Sequence, residues 1–283
     1  TTLFADDACL CCIPQLLAHG NEAAAGVQSF QLGAARVTMF TDGAVTCKAK
    51  WMFPDLSPEE RVAAFPEGLA VMSFGCTLLQ LGEQTVLLDT SLGCIDPPIF
   101  PAMKEVRQQR DLRDLLKEVN VAPEGVDIVC HTHLHRDHTS WNVVPSGEGD
   151  GSVIPLFTNA THVVQRREYQ YWTKNKARRD RVQYDTLLRP LEEAGMIKEI
   201  DGTVELSTSE GTSIILELAP GHTKLFASRA RMLEQSSFAT FSTPGALTYL
   251  QLGQVQECSR ATTGPRKHIS PFPEPAACST MVT

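Results

Sequence analysis

Residues 126–138 read VDIVCHTHLHRDH, a short apolar run that passes directly into a segment with four histidines and one aspartate. A short apolar run of this kind is typical of a buried strand. A strand that ends in a loop can direct several side chains into one pocket. Imidazole nitrogens and carboxylate oxygens are ligands that Zn²⁺ and similar divalent ions accept. The segment therefore predicts a metal site at the end of a buried strand.

The spacing within this segment separates its histidines into different roles. His133 and His135 alternate, so in an extended chain they point to the same side. Asp137 and His138 follow, where a turn can direct them to a second ion. His131 precedes this pattern and is interpreted as structural. A solvated polar loop is the simpler alternative, but four of the eight histidines of the chain lie here, which argues against it.

Composition narrows the class of protein. The chain has 283 residues, of which 42% are apolar and 20% charged, as expected for one large or two small globular domains. No uncharged apolar stretch reaches the length of about 18 residues that a transmembrane helix needs. The net charge of −8 argues against nucleic acid or a membrane surface as a partner. Nine irregularly spaced cysteines and no recognisable secretion signal predict a reducing, cytoplasmic location.

Strand and helix patterns alternate along the chain, which predicts an α/β protein. Ser57-Pro-Glu-Glu60 is a capping box that predicts a helix to about Phe65. Periodicity predicts further helices at residues 104–119, 167–174 and 181–194. It predicts strands at residues 37–40, 69–80, 84–89, 126–130, 160–165, 204–206 and 213–218. Thr41-Asp42-Gly43 is interpreted as a turn that closes the first strand.

The composition changes after His222. Residues 223–283 contain three acidic and six basic side chains, and many serines, threonines and prolines. A helix at residues 230–238 and a strand at residues 246–252 are the only periodic patterns there. The remainder is typical of a partly disordered segment.

His133, His135, Asp137 and His138 reproduce a spacing that resembles the signature of the metallo-β-lactamase superfamily. An apolar strand ending in Leu88-Asp89-Thr90 precedes the motif, and the later Ala219-Pro-Gly-His222-Thr also resembles an element of that family. The string from His133 to Asn142 is most similar to lactonase-like and organophosphate-hydrolase-like members, as is RREYQYW at residues 166–172. The resemblance covers about residues 37–223.

The resemblance implies a fold and a division of the chain. The fold is an α/β, four-layer αββα sandwich, and the resemblance leaves open whether its second half is complete here. Residues 1–36 form an N-terminal extension, and residues 37–223 form the core of the metallo-hydrolase domain. Residues 224–283 form a divergent C-terminal segment that is expected to be partly disordered.

The resemblance also implies a ligand set and a reaction. His133, His135 and His222 match the ligands of a first zinc, and Asp137 and His138 match those of a second. Asp89 matches a buried carboxylate that orients a ligand imidazole. The implied cofactor is one or two Zn²⁺ per chain, ahead of iron or manganese. The implied activity is hydrolysis of a lactone, ester or similar small molecule by hydroxide on the metal, which Asp137 holds in position. The oligomeric state stays open.

The chain departs from the family after His222. The family supplies a bridging Asp and a late His there, but this sequence has no Asp after Asp201, and His268 is its only later histidine. We therefore expect the first metal site to bind more tightly than the second. One alternative function is a non-catalytic or impaired protein of the same fold that binds one metal or none. An iron-containing redox protein is another alternative.

Overall fold

The computed structural model of the chain describes residues 26–93, 103–107, 109–147, 149–209, 212–219, 227–234 and 250–252. The strands are β1 (Gly26–Leu32), β2 (Ala35–Lys48), β3 (Leu69–Leu81), β4 (Gln84–Leu88), β5 (Met103–Arg107), β6 (Ile128–Cys130), β7 (Val143–Pro145), β8 (Val153–Pro155), β9 (Thr161–Gln165), β10 (Ile197–Ile200), β11 (Val204–Ser209), β12 (Thr212–Ala219), β13 (Ala227–Glu234) and β14 (Leu250–Leu252). The helices are α1 (Ala49–Met52), α2 (Pro58–Ala64), α3 (Leu112–Glu118), α4 (Arg166–Thr173), α5 (Lys176–Arg181), α6 (Tyr184–Leu187) and α7 (Arg189–Glu193).

The large sheet has the strand order β1-β2-β3-β4-β6-β9-β10, and β5 pairs with β2 outside this path. Strands β1 to β4 are antiparallel, whereas β4, β6, β9 and β10 run parallel. The carboxyl ends of parallel strands meet at one edge of a sheet, where ligand sites of α/β proteins form. Leu88 pairs with Cys130 at the ends of β4 and β6, so the loop that begins at Asp89 lies beside the histidine segment.

A second sheet, ordered β11-β12-β13-β14, packs against one face of the large sheet. Ile214 and Leu216 of β12 share a buried cluster with Leu79 and Val163 of the large sheet. The opposite face of the large sheet is covered by helices. Leu115 and Leu116 of α3 are fully buried there. Full burial of a side chain of this size contributes about 1.5–3 kcal/mol to folding.

This arrangement confirms the α/β fold of metallo-β-lactamase type, with the described residues forming a helical layer and two stacked sheets. One local sequence signal, the capping box at the start of α2, is confirmed. Ser57 Oγ accepts from the Glu60 N–H at 3.1 Å and the Glu60 carboxylate accepts from the Ser57 N–H at 2.9 Å, so the capping box forms as predicted. The boundary proposed between residues 36 and 37 falls inside β2, and the division of the chain stays a prediction.

The predicted turn at Thr41-Asp42-Gly43 is wrong. Strand β2 continues to Lys48, and its pairing with β3 shifts between Thr41 and Gly43, so Asp42 is the extra residue of a β-bulge. Gly75 lies opposite Thr41, and a Cβ there would sit 1.9 Å from the carbonyl oxygen of Phe40. The close approach of the two backbones at the bulge therefore requires glycine at this position.

Three predicted helices are also wrong in part. Residues 104–107 belong to β5, and α3 begins only after Asp111, whose carboxylate accepts from the Arg113 N–H at 2.8 Å. Residues 181–194 form separate short helices, because Gln183 has a φ of +50° and Pro190 begins a new turn. Residues 230–234 are part of β13 rather than a helix, and residues 235–238 lie outside the described residues. The predicted strand at residues 246–252 is described only as β14.

Within the described residues, no helix combines the length and the apolar character that crossing a bilayer requires.

Candidate metal centre

Two loops at the carboxyl edge of the large sheet form the centre. The loop after β4 contains Asp89 and Ser91, which have positive φ angles of +59° and +53°. Backbone hydrogen bonds tie this loop to the segment after β6. The Thr90 N–H donates to the His138 carbonyl at 2.9 Å, and the Trp141 N–H donates to the Thr90 carbonyl at 3.1 Å. The two loops therefore form one unit.

The histidines of the motif lie together within this unit. His133 Nε2 and His135 Nδ1 are 3.1 Å apart, and the rings of His133 and His138 have centroids 4.0 Å apart. Two imidazole nitrogens on one tetrahedral zinc ion lie about 3.3 Å apart. Among the residues that the structure describes, the side chains as placed form no complete group of three or more metal ligands. His222, the remaining predicted ligand of the first site, lies outside the described residues.

His138 lies between two carboxylates. Its Nδ1 is 2.7 Å from Asp89 Oδ2, and its Nε2 is 3.4 Å from Asp137 Oδ2. Burial lowers the pKa of His138, but the charges of Asp89 and Asp137 outweigh it and raise the pKa to about 10. Burial raises the pKa of Asp137, but the charge of the neighbouring His138 holds that pKa below its usual range. This part of the site stabilises positive charge.

Asp89 also contacts the segment that carries His133, a predicted metal ligand. Its carboxylate accepts from the Thr132 N–H at 2.8 Å and from the Thr132 hydroxyl at 2.7 Å. The same hydroxyl oxygen lies 3.1 Å from His133 Nδ1. These contacts place a proton on Nδ1 of His133 and His138, so a metal would bind at Nε2 of each ring and, at His138, would replace the second proton that the two carboxylates favour. Asp89 is buried and contacts the His138 ring, as the sequence predicts, and the role of that ring as a metal ligand stays a prediction.

The donor set fits a divalent cation. His138 Nε2 is buried and has no hydrogen-bond partner among the described residues. A buried nitrogen of this kind is costly unless something binds it. Imidazole nitrogens and carboxylate oxygens are ligands that Zn²⁺ prefers, and both lie together here.

Sequence analysis missed two buried carboxylates that hold the centre. Glu168 of α4 accepts from the Leu134 N–H at 3.1 Å and from Trp172 Nε1 at 2.6 Å, and the Trp172 ring contacts the His135 ring edge-on at 5.2 Å. The four-residue spacing of Glu168 and Trp172 on one helix was a signal available in the sequence.

Asp42 is the second missed carboxylate, because Asp-Gly had been interpreted as a turn. It accepts from Ser91 Oγ at 2.5 Å, from Trp141 Nε1 at 3.0 Å and from the Gly93 N–H at 3.2 Å. Burial raises the pKa of Asp42 to about 6, although these hydrogen bonds act in the opposite direction.

His131 is separated from the ligand set. Its Nε2 lies 3.1 Å from Nδ1 of His162 on β9, and both rings are buried. Burial lowers the pKa of His131 to about 4, so the pair is neutral at physiological pH. This contact agrees with the structural role expected for His131. His19 and His268 lie outside the described residues.

Curated relatives match a short part of the chain. N-acyl homoserine lactonase AttM of Azorhizobium caulinodans is 41% identical over 56 residues, which are 20% of this chain and 17% of that protein. AttM of Agrobacterium fabrum is 40% identical over 58 residues, which are 20% of this chain and 18% of that protein. The chain thus spans less than a fifth of the length of these relatives.

Solved structures match a larger part. A probable metal-dependent hydrolase from Staphylococcus aureus is 15% identical, with a TM-score of 0.56 over 73% of this chain and 71% of its own. AidC, a dizinc quorum-quenching lactonase in complex with a product N-hexanoyl-L-homoserine, is 16% identical, with a TM-score of 0.54 over 76% of this chain and 72% of its own. At sequence identities of 15% and 16%, this structural similarity shows a shared fold and nothing more.

The family model described as the metallo-beta-lactamase superfamily matches residues 76–223, just over half of the chain. The matched residues include both loops of the centre and extend one residue past His222. The resemblance inferred from the motif is therefore confirmed, and the chain belongs to the metallo-β-lactamase superfamily.

Proposed function

We propose that this protein is a zinc-dependent hydrolase of a lactone, an ester or a similar small molecule. His133, His135 and His222 hold a first zinc ion, and Asp137 and His138 hold a second. The observation that carries the proposal is the 3.1 Å approach of His133 Nε2 to His135 Nδ1 beside His138, whose ring two carboxylates flank. Residues 37–223 form the metallo-hydrolase core in this proposal, and residues 224–283 form a separate C-terminal segment.

Lactones are the first substrate class to consider. The AttM relatives are N-acyl homoserine lactonases, and AidC is a lactonase that holds N-hexanoyl-L-homoserine as a product. These names support a neutral acyl lactone for the present chain. The net charge of −8 also disfavours large polyanionic substrates.

Different residues of the chain would have different roles in hydrolysis. Bound zinc would polarise the carbonyl of the substrate and bring the pKa of water close to neutrality. Asp89 keeps the His138 ring fixed through its 2.7 Å contact with Nδ1. Asp137 would accept a hydrogen bond from the attacking water and so hold it for attack. No serine or cysteine nucleophile is required in this scheme.

The test is hydrolysis of N-hexanoyl-L-homoserine lactone by the full chain, followed by acid release in a pH-stat with and without added zinc. We expect zinc-dependent turnover that ethylenediaminetetraacetic acid abolishes. His133→Ala should reduce kcat/KM by at least about 100-fold, because it removes a ligand of the first site. Turnover that is the same in the metal-free protein would contradict the proposal.

The second candidate is an impaired protein of the same fold that binds one metal or none. The absence of any Asp after Asp201 favours it, because a bridging carboxylate normally offsets the repulsion between two cations. A chain that binds one zinc ion and hydrolyses no member of a lactone and ester panel would support this candidate.

A further inference from the structure

Asp42 is a buried carboxylate that the proposed chemistry does not use. Only 1% of its surface is exposed, and it is the bulged residue of β2. Its two oxygens accept three hydrogen bonds from side chains and backbone far along the chain. The donor that is most distant, Trp141 Nε1, lies 99 residues after it. Burying a carboxylate costs free energy, so its retention requires an explanation.

The three donors belong to the two loops of the metal centre. Ser91 and Gly93 follow Asp89, which accepts from His138 Nδ1. Trp141 follows His138 in the other loop. The Asp42 carboxylate thus bridges the segment that orients a predicted ligand and the segment that carries the ligands.

The loop after β4 needs such a bridge because its backbone is strained. Asp89 and Ser91 are not glycines, yet both have positive φ angles. Each such residue costs about 1 kcal/mol or more and persists only when its surroundings hold it. Ser91 is fully buried, and its hydroxyl donates to Asp42 Oδ1. Gly93, with a φ of +66°, donates its N–H to Asp42 Oδ2.

We propose that Asp42 is a positioning residue of the metal centre, which fixes the Asp89 loop against the Trp141 turn and thereby sets the orientation of His138. The proposal rests on the proposed function for its effect on catalysis, but its effect on zinc binding can be measured independently. The pKa of about 6 shows that the three hydrogen bonds do not fully offset the burial of the carboxylate. A residue that served stability alone would gain from an uncharged side chain.

The substitutions Asp42→Asn and Asp42→Ala separate the effect of the hydrogen bonds of this side chain from the effect of its charge. In Asp42→Asn the amide oxygen can accept from Gly93 and Trp141, while the amide nitrogen donates to Ser91 Oγ. Asp42→Ala removes all three contacts. Asp127→Ala is the matched control, because Asp127 Oδ2 accepts from the Thr85 N–H at 2.7 Å and joins β4 to β6 at the opposite edge of the sheet.

The primary measurement is zinc affinity of the full-length variants by competition with a chromophoric chelator. We expect Asp42→Ala to weaken zinc binding by at least about tenfold, as loss of outer contacts does at other metal sites. Asp42→Asn should stay within about threefold of the natural chain, and Asp127→Ala should lose stability without losing zinc affinity. Zinc affinity of Asp42→Ala equal to that of the natural chain would overturn the proposal, as would equal losses in Asn and Ala.

Single-donor variants keep the proposal testable if Asp42→Ala does not fold. Trp141→Phe removes the indole N–H together with part of the buried ring, and Ser91→Ala removes only the hydroxyl. Each should lower zinc affinity by about threefold or more, a fraction of what outer contacts contribute in total. Trp51→Phe is the control, since Trp51 is half exposed on α1. Unchanged zinc affinity in both single-donor variants would overturn the proposal.

Lactone turnover by the same proteins separates the two proposals. If the natural chain binds zinc but hydrolyses no member of a lactone and ester panel, the proposed function fails and the zinc series still decides the role of Asp42. If the natural chain is active, Asp42→Ala should lower kcat more than it raises KM, and Asp42→Asn should rescue kcat. Full kcat in Asp42→Ala would overturn the positioning role.

Discussion

The histidines of the centre depend on three buried carboxylates for their orientation. Asp89 contacts His138 directly, Glu168 holds the peptide N–H between His133 and His135, and Asp42 holds the loops on the other side. Each accepts hydrogen bonds from groups that would otherwise be buried without partners. An unmade hydrogen bond of this kind costs about 1–3 kcal/mol, so each carboxylate stabilises one arrangement of the loops over others.

Asp89→Asn tests the proton arrangement on His138. Asn tolerates the φ of +59° at this position, so the backbone should be retained. Its amide oxygen can still accept from the Thr132 N–H, which directs the amide NH₂ towards His138 Nδ1. That donor selects the tautomer with the proton on Nε2, which cannot bind a metal. We expect the affinity for the second zinc ion to fall by about 10–100-fold, measured by chelator competition.

Asp127→Asn is the control for Asp89→Asn, because it makes the same chemical change at an exposed site on the opposite edge of the sheet. An unchanged second zinc affinity in Asp89→Asn would show that Asp89 does not set the tautomer of His138.

Glu168→Leu should destabilise the chain by about 2 kcal/mol or more, because it leaves the Leu134 N–H and Trp172 Nε1 buried without their shared acceptor. Glu168→Gln should be close to the natural chain, since both hydrogen bonds reach the same oxygen of the carboxylate. Urea unfolding of the metal-free proteins measures the difference. Equal stability of the Leu and Gln variants would contradict this assignment.

Titration of Asp42 predicts a pH dependence of stability. Its pKa is about 6 in the folded chain and 3.8 in the reference state, so the folded chain binds the proton more tightly. Its contribution to stability is therefore complete below about pH 4 and is lost as the pH rises through 6. Compared with Asp42→Asn, the natural metal-free chain should gain about 1 kcal/mol in free energy of unfolding between pH 7.5 and pH 5. A constant difference between the two proteins would contradict the prediction.

At the scale of elements, a local sequence signal succeeded only where pairing between strands did not override it, as it did at Asp42-Gly43. The capping box at Ser57 defines the start of α2 by contacts between near neighbours. The helix predicted at residues 104–119 was wrong at its start because Val106 lies in β5, which pairs with β2. The apolar residues of α3 continue the spacing that begins at Val106, so the two elements resembled one helix in the sequence. Tertiary pairing of this kind overrides local propensity.

Gly93 lies in the loop after β4, where the packing of the two loops leaves little space for a side chain. It has a φ of +66°, and a Cβ there would lie 2.7 Å from the Ser140 Cβ. Gly93→Ala should therefore destabilise the chain by about 2 kcal/mol more than a backbone penalty alone. Gly68→Ala is the matched control, with a φ of +67° and no atom within 4 Å of the added Cβ. Thermal unfolding of both variants measures the difference, and equal losses would show that the loops can move apart.

At the scale of the whole molecule, the histidine motif could be predicted from the sequence, but the buried contacts that hold its loops could not. His133, His135, Asp137 and His138 lie within six residues, so their spacing is visible in the sequence. The contacts of Asp42 depend on a bulge in β2 and on the parallel alignment of β4 with β6. Packing between distant elements therefore completes the centre, and a linear pattern does not display such contacts.

Zinc stoichiometry tests how the whole chain completes its metal centre. Two zinc ions a few ångströms apart repel each other, and a bridging carboxylate offsets that repulsion. The sequence has no Asp after Asp201 to form the bridge, whereas the residues proposed for the first site are all present. We expect titration of the full chain to show two classes of zinc site whose affinities differ by at least about tenfold. His222→Ala should weaken the tighter class and Asp137→Asn the weaker one. Two sites of equal affinity would show instead that residues 224–283 supply the missing ligands.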